Sequence, residues 1–200
     1  MSIPQKERKV NLNPLPREFY ARETLTVARD LLGKCLVRRD AGARLAGIIT
    51  EVEAYIGETD RASHASPGPT ARNAPMYGPP GYSYVYLIYG IHHCLNVVTE
   101  RAGFPAAILI RAIEPVAGLA IIQQRRGPQR LPANLTCGPG RVCHALGIDR
   151  SLNNADLCAA DALLWIEDAA PIPAARIGQS PRIGVRGDQA ALEARWRFYI

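Results

Sequence analysis

Glu51 and Glu53 sit two residues apart inside "ARLAGIITEVEAY", a run whose other residues alternate as those of a β-strand do. Acidic side chains are depleted in strands, so a carboxylate kept there is a candidate for acid–base or electrostatic chemistry. The alternative is structural: a carboxylate facing solvent, or one paired with an arginine. Downstream, Arg111 is the single charge in the apolar run "AAILIRAI", which predicts an inward-facing guanidinium with an anionic partner. Between them, "GYSYVYLIYG" carries four of the eight tyrosines. Two readings of that stretch stay open: a buried strand with hydroxyls at the sheet rim, or a platform whose ring faces hold unpaired bases. His64, in the Ala/Ser-lined "RASHAS", is either a satisfied structural histidine or a fixed hydrogen-bond donor.

The elements that must position these residues are legible in outline. "TLTVARDLLG" spaces Leu25, Ala28, Leu31 and Leu32 as one helical face, with Gly33 placed to end it. "CLVRR", the glutamate run, the tyrosine run, "CLNVVTE" and "AAILIRAIEP" read as strands, and "RWRFYI" as a last strand docked on the sheet. "VAGLAIIQQRRG" and "GPGRVCHALGI" read as helices. The segment "ETDRASHASPGPTARNAPMYGPPG" is too long and too rich in Pro, Gly and Ser for an ordinary connection, and such loops are often functional. Strands clustered mid-chain with helices on either side predict an α+β fold with a mainly antiparallel sheet.

At 200 residues and 48% hydrophobic, the chain suits one globular domain with a sizeable core. We expect an N-terminal arm over residues 1–16 and a single domain over 17–200. No run approaches the ~18 apolar residues of a membrane span, and the polar opening does not read as a secretion signal, so a cytoplasmic, nucleoid-associated location is expected. The five cysteines are scattered without a Cys-x2-Cys pair, which argues for reduced thiols and no metal site. A net charge of +6, carried almost wholly by arginine, suits a polyanionic partner.

In order along the chain, "EVEAYIGETDRASHAS", "TARNAPMYGPPGYSYVYLIYGIHHCLNVV", "AAILIRAIEP", "GPGRVCHALGID" and "RIGV" resemble the 3-methyladenine (alkyladenine) DNA glycosylases, from about residue 17 onward. The resemblance implies one curved-sheet domain with a protruding β-hairpin that enters DNA. The implied activity is hydrolysis of the N-glycosidic bond of alkylated or deaminated purines flipped out of the duplex. It implies Glu53 as general base, with Arg111 beside the catalytic water. Tyr55, His64, Tyr86 and Asn96 become the base pocket, and Tyr89 the residue that fills the gap in the base stack. Thr70, Arg72, Met76, Gly140 and Arg141 become contacts to the DNA backbone. No cofactor is implied, the partner is double-stranded DNA with damaged purines, and a monomer is expected. The chain departs from the family pattern at His92 and His93 and in a shortened loop after His64.

Two other classes stay open on residues alone: a DNA-binding module in which Glu53 is structural, and an enzyme of a different small substrate, such as a formyl transferase. A carboxylate at the centre of a DNA-facing cleft would repel phosphate and serve binding alone poorly. The second class lacks any sequence feature for its cofactor. Register offers a sharper expectation. A two-residue turn at Tyr89-Gly90 would put Asn96 and Tyr86 on opposite faces of the hairpin. A three-residue loop, Tyr89-Gly90-Ile91, pairs residue 88 with 92 and 86 with 94. Tyr84, Tyr86, Cys94 and Asn96 then share a face, and Tyr89 stands exposed at the tip.

Overall fold

The computed structural model describes residues 11–127 and 134–200. In chain order, β1 (Asn11–Pro14), α1 (Arg17–Tyr20) and α2 (Thr24–Leu31) lead to β2 (Cys35–Asp40) and the long β3 (Ala43–Ile56). A loop with one 3-10 turn (Ala74–Tyr77) connects to β4 (Ser83–Ile88), β5 (His92–Val98) and β6 (Ala106–Ala117). Then come α3 (Leu119–Arg126), α4 (Pro139–Leu146), β7 (Leu164–Asp168), β8 (Gly178–Ser180), α5 (Gln189–Glu193) and β9 (Arg197–Tyr199). The strands form a curved, half-barrel sheet in the order β1-β7-β2-β3-β6-β5-β4, with β9 joining β3 to β8. Every pairing among the described strands is antiparallel, in agreement with the α+β expectation.

The length of β3 organises the sheet. β2 is matched to Ala43–Ile48 only, so the second half of β3 has a vacant edge, and β9 fills it by pairing with Glu51, Val52 and Glu53. At this change of partner the β3–β6 register shifts around Glu51. A bulge of this kind bends the strand and re-aims its side chains, and here it lies beside the two carboxylates. One face of the central strands carries Val52, Ala54, Val85, Leu95, Val97, Ile108 and Ile110 into the main core. Each large apolar side chain buried this way contributes roughly 1.5–3 kcal/mol.

The helices cover that core face. Val27, Ala28 and Leu31 of α2 are buried, and the helix stops where Gly33 takes a left-handed conformation, φ 81°. α4 buries Val142, Cys143, Ala145 and Leu146 and contacts β5 and β6.

Of the expected arm, residues 1–10 lie outside the described residues. The remainder is a correction: Asn11–Pro14 is an edge strand on β7, and Leu15 is buried in the core. The apolar leucine between two prolines, which favour extended backbone, is the local cause. β7 also escaped the sequence reading. Its apolar run, "ALLWIED", is short and flanked by alanine, so periodicity alone does not separate strand from helix.

Candidate active site

Glu53, Leu109, Asn96 and Tyr84 are successive register partners across β3, β6, β5 and β4. Because side chains alternate along a strand, Arg111, Cys94 and Tyr86 extend the same face, opposite the core residues. That face forms a cleft of about 380 Å³ whose walls include Tyr55, His64, Tyr86, Asn96 and Arg111. A larger hollow of about 630 Å³, lined in part by Thr50, Glu114 and Thr136, takes in Glu51 but none of the residues expected in the base pocket. Volume therefore does not locate the site. Convergent polar groups do.

Glu53 lies beneath the cleft with no exposed surface, and three donors converge on it. The Tyr55 hydroxyl donates to Oε2 at 2.9 Å, Arg111 Nη1 to the same oxygen at 3.1 Å, and the Ile183 backbone N–H to Oε1 at 2.7 Å. This satisfies the requirement that a buried carboxylate be paired and hydrogen-bonded. Burial and the adjacent Glu53 hold the Tyr55 phenol well above its ordinary pKa, so it keeps the proton it donates. Burial works against the Arg111 cation, but Glu53 and Glu51 outweigh it and raise its pKa. Arg111 Nε reaches Glu51 Oε1 at 2.8 Å, and Arg197 Nε reaches the same oxygen at 2.6 Å. Glu51 is thus the arginine-paired strand carboxylate, and Arg111 bridges it to Glu53.

His64 Nδ1 lies 3.0 Å from the Tyr84 hydroxyl, and its ring meets Tyr86 edge-on at 4.5 Å between centroids. Burial and the nearby Arg72 lower the His64 pKa, so the ring is neutral at neutral pH. Tyr84, pushed up to about 12 chiefly by burial, keeps its proton at neutral pH. When that proton is donated to Nδ1, the imidazole proton sits on Nε2. Asn96, 4% exposed, gives one amide hydrogen to the Tyr84 carbonyl at 3.1 Å. The second hydrogen is available to the cleft.

The hairpin has the three-residue loop: Tyr86 faces Cys94 and Ile88 faces His92. Tyr84, Tyr86, Cys94 and Asn96 therefore share a face. Tyr89 is 85% exposed, and both Tyr89 and Gly90 have positive φ, 53° and 71°, as a primed turn requires. α4 stands beside this hairpin. A Cβ built on Gly140 would lie 3.1 Å from the His92 Cβ, so a side chain here would press on His92, and glycine lets the helix start this close without displacing it. The Gly138 N–H bonds the Arg111 carbonyl at 2.9 Å and ties the helix entrance to the site.

Thr70, Arg72 and Arg141 are exposed, and Gly140 is half-buried at the start of α4. Met76 differs from these four. Its side chain is 2% exposed in the cleft wall, and its N–H bonds the Asn73 carbonyl at 2.8 Å.

The sequence reading missed the groups that hold the site together. Asn73, in the long loop, donates to the carbonyls of His64 at 2.8 Å and Gly68 at 2.9 Å. Arg182 is fully buried, forks onto Asp60 at 2.6 and 2.8 Å, and lies 4.7 Å from the Tyr55 ring centroid. The next residue, Ile183, supplies the amide on Glu53. "RIGV" was the only trace of these, because a backbone donor leaves no side-chain signature.

Comparison with known proteins gives the family. The family model for methylpurine-DNA glycosylase (MPG) matches residues 18–200. A protein named "Putative 3-methyladenine DNA glycosylase" from Methanocella arvoryzae is 53% identical over 187 residues, covering 92% of this chain and 91% of its own. Proteins of the same name from Myxococcus xanthus and Alkaliphilus oremlandii are similar too. The first is 49% identical and covers 87% of this chain and 83% of its own. The second is 45% identical and covers 93% and 95%. With a glutamate, two tyrosines and an asparagine on one sheet face, a loop histidine closing the same cleft, and a match that runs to residue 200, the chain belongs to the methylpurine-DNA glycosylase family, hydrolases of the glycosidic bond in DNA.

Proposed function

We propose that the protein excises alkylated and deaminated purines flipped out of duplex DNA, by hydrolysis and without strand cleavage. The observation that carries this reading is the placement of Glu53 under a tyrosine-walled cleft whose hairpin ends in an exposed aromatic residue. As the bond from C1′ to the base breaks, C1′ becomes cationic, and an anionic carboxylate beneath it stabilises that charge. A carboxylate offers about four lone-pair positions. Tyr55 and Arg111 occupy two on Oε2 and Ile183 one on Oε1, so the remaining position on Oε1 is the one that takes the proton of the attacking water. The oxygen bonds to C1′, and the base departs with the electrons of the broken bond.

Selection follows from the walls. Cationic alkylpurines stack favourably between Tyr55 and Tyr86 and are better leaving groups. The free amide hydrogen of Asn96 opposes the exocyclic amino group of guanine. The Nε2–H of His64 favours a base that presents an acceptor, such as the carbonyl of a deaminated adenine. Tyr89 fills the gap in the stack, and Thr70, Arg72, Gly140 and Arg141 hold the DNA backbone.

Single-turnover excision on duplexes containing 3-methyladenine or hypoxanthine tests the reading. The parent protein releases free base. Glu53→Gln binds lesion DNA as the parent does but is slower by at least ~10²-fold, the low end for a general base. A Glu53→Gln rate within a factor of a few of the parent removes Glu53 from the mechanism.

A further inference from the structure

The charged groups of the cleft fall into two sets. Inside, Arg111 is matched by Glu51 and Glu53. At the edge, Arg61 and Arg186 line the same cleft, both are exposed, and among the described residues neither side chain has a hydrogen bond, ion pair or ring contact. The acidic residues next to them in sequence are engaged elsewhere. Asp60 is taken by Arg182, and Asp188 caps α5 by accepting from the Ala191 N–H at 2.9 Å. Two guanidinium groups on the rim of one cleft thus carry uncompensated charge.

The two loops that bear them are locked together. A Cβ added to Gly187 would lie 3.1 Å from the Arg61 carbonyl carbon and 3.2 Å from the Ala62 nitrogen, so the backbone after Arg186 rests directly on the backbone at Arg61. The same pair of loops carries His64 in the pocket wall and the Ile183 amide on Glu53. The backbone positions that bear the two arginines are therefore fixed relative to the pocket.

We propose that Arg61 and Arg186 form a subsite for a phosphodiester of the lesion strand, within one or two nucleotides of the flipped base. This rests on the reading that the cleft takes a flipped nucleotide. When the base enters between Tyr55 and Tyr86, the flanking phosphates are left at the rim, where the unmatched charge lies. The planar fork of arginine suits phosphate oxygens and gives two directed contacts where lysine gives a point charge. Any anion would feel the charge, but only the lesion strand brings a phosphate to this rim together with a base in the pocket.

The test uses Arg61→Ala, Arg186→Ala and the double variant. Both side chains are exposed, and unchanged thermal unfolding confirms the fold. Affinity for a lesion duplex is measured against salt concentration, and again on duplexes in which one phosphate, beside the lesion or several nucleotides away, is a neutral methylphosphonate. Each substitution should reduce the steepness of log K against log salt by about 0.9. The flanking methylphosphonate should weaken the parent several-fold and leave the double variant nearly unaffected, whereas the distant one should weaken both alike. An unchanged slope overturns the subsite, and so does a flanking penalty as large in the double variant as in the parent. Failure of the parent to excise any lesion overturns the underlying functional reading instead, a separate result from the same preparations.

Discussion

Tyr89 sits in a left-handed backbone conformation, φ 53°, that a bulky side chain tolerates poorly. Such a position costs about 1–3 kcal/mol and persists where something other than stability keeps it. Asparagine accepts this conformation readily, so Tyr89→Asn should leave thermal stability unchanged or raise it. The same variant should lose excision of stably paired lesions more than excision from mismatches or single strands. Equal losses on all three substrates would remove the wedge role.

His64 offers a pH test. Its folded pKa is lowered by burial and by Arg72, so the unfolded chain takes up the proton first as pH falls. The stability tied to neutral His64 is present above about pH 6.5 and declines as pH drops through that value toward the lowered folded pKa. His64→Gln should flatten the fall in melting temperature over that window, and Arg72→Ala should move the His64 titration upward in NMR. A His64 that titrates above its ordinary value contradicts the lowering by burial and Arg72.

At the scale of elements, the site depends on what ties loops to the sheet. Arg182 joins the Ala54 carbonyl at 3.0 Å, Asp60, and the Ala191 carbonyl at 3.1 Å, so β3, the long loop and α5 meet on one guanidinium. Breaking a buried ion pair by removing one partner costs about 3–5 kcal/mol. Arg182→Lys keeps the charge but loses the fork, and it should lower stability on urea unfolding by an amount approaching that range. Excision should fall as well, because the Tyr55 ring and the Ile183 amide lose their support. A variant with the parent's stability and rate would show that the clamp is dispensable. None of this was legible in "RIGV" beyond the fragment itself, because the partners of Arg182 are more than a hundred residues away except within α5. The hairpin register was legible, since only an odd loop puts Tyr86 and Asn96 on one face.

At the scale of the whole molecule, the placement of lysine bears on the reaction's expected end point. Among the described residues Lys34 is the one lysine; it is 6% exposed and bonds Asp168 at 2.6 Å and the Ala169 carbonyl at 2.5 Å. A buried, ion-paired amine just before β2 is a poor Schiff-base nucleophile, so among the described residues no lysine is placed to attack a sugar in the cleft. The expected products are free base and an intact abasic site, read on a denaturing gel. A borohydride-trapped protein–DNA adduct would contradict this. The sequence by itself determined most of the strand and helix spans around the site and the α+β class, because periodicity is a local signal, while the roles of the candidate residues were implied by the family resemblance. It did not determine that Glu51 would bind two arginines while Glu53 takes a backbone amide, nor that Asn11–Pro14 would complete a sheet edge. Only the tertiary structure decided these. They depend on which distant strand fills the vacant half of β3 and which loop closes over the carboxylate, and pairing across such separations leaves no pattern in neighbouring residues.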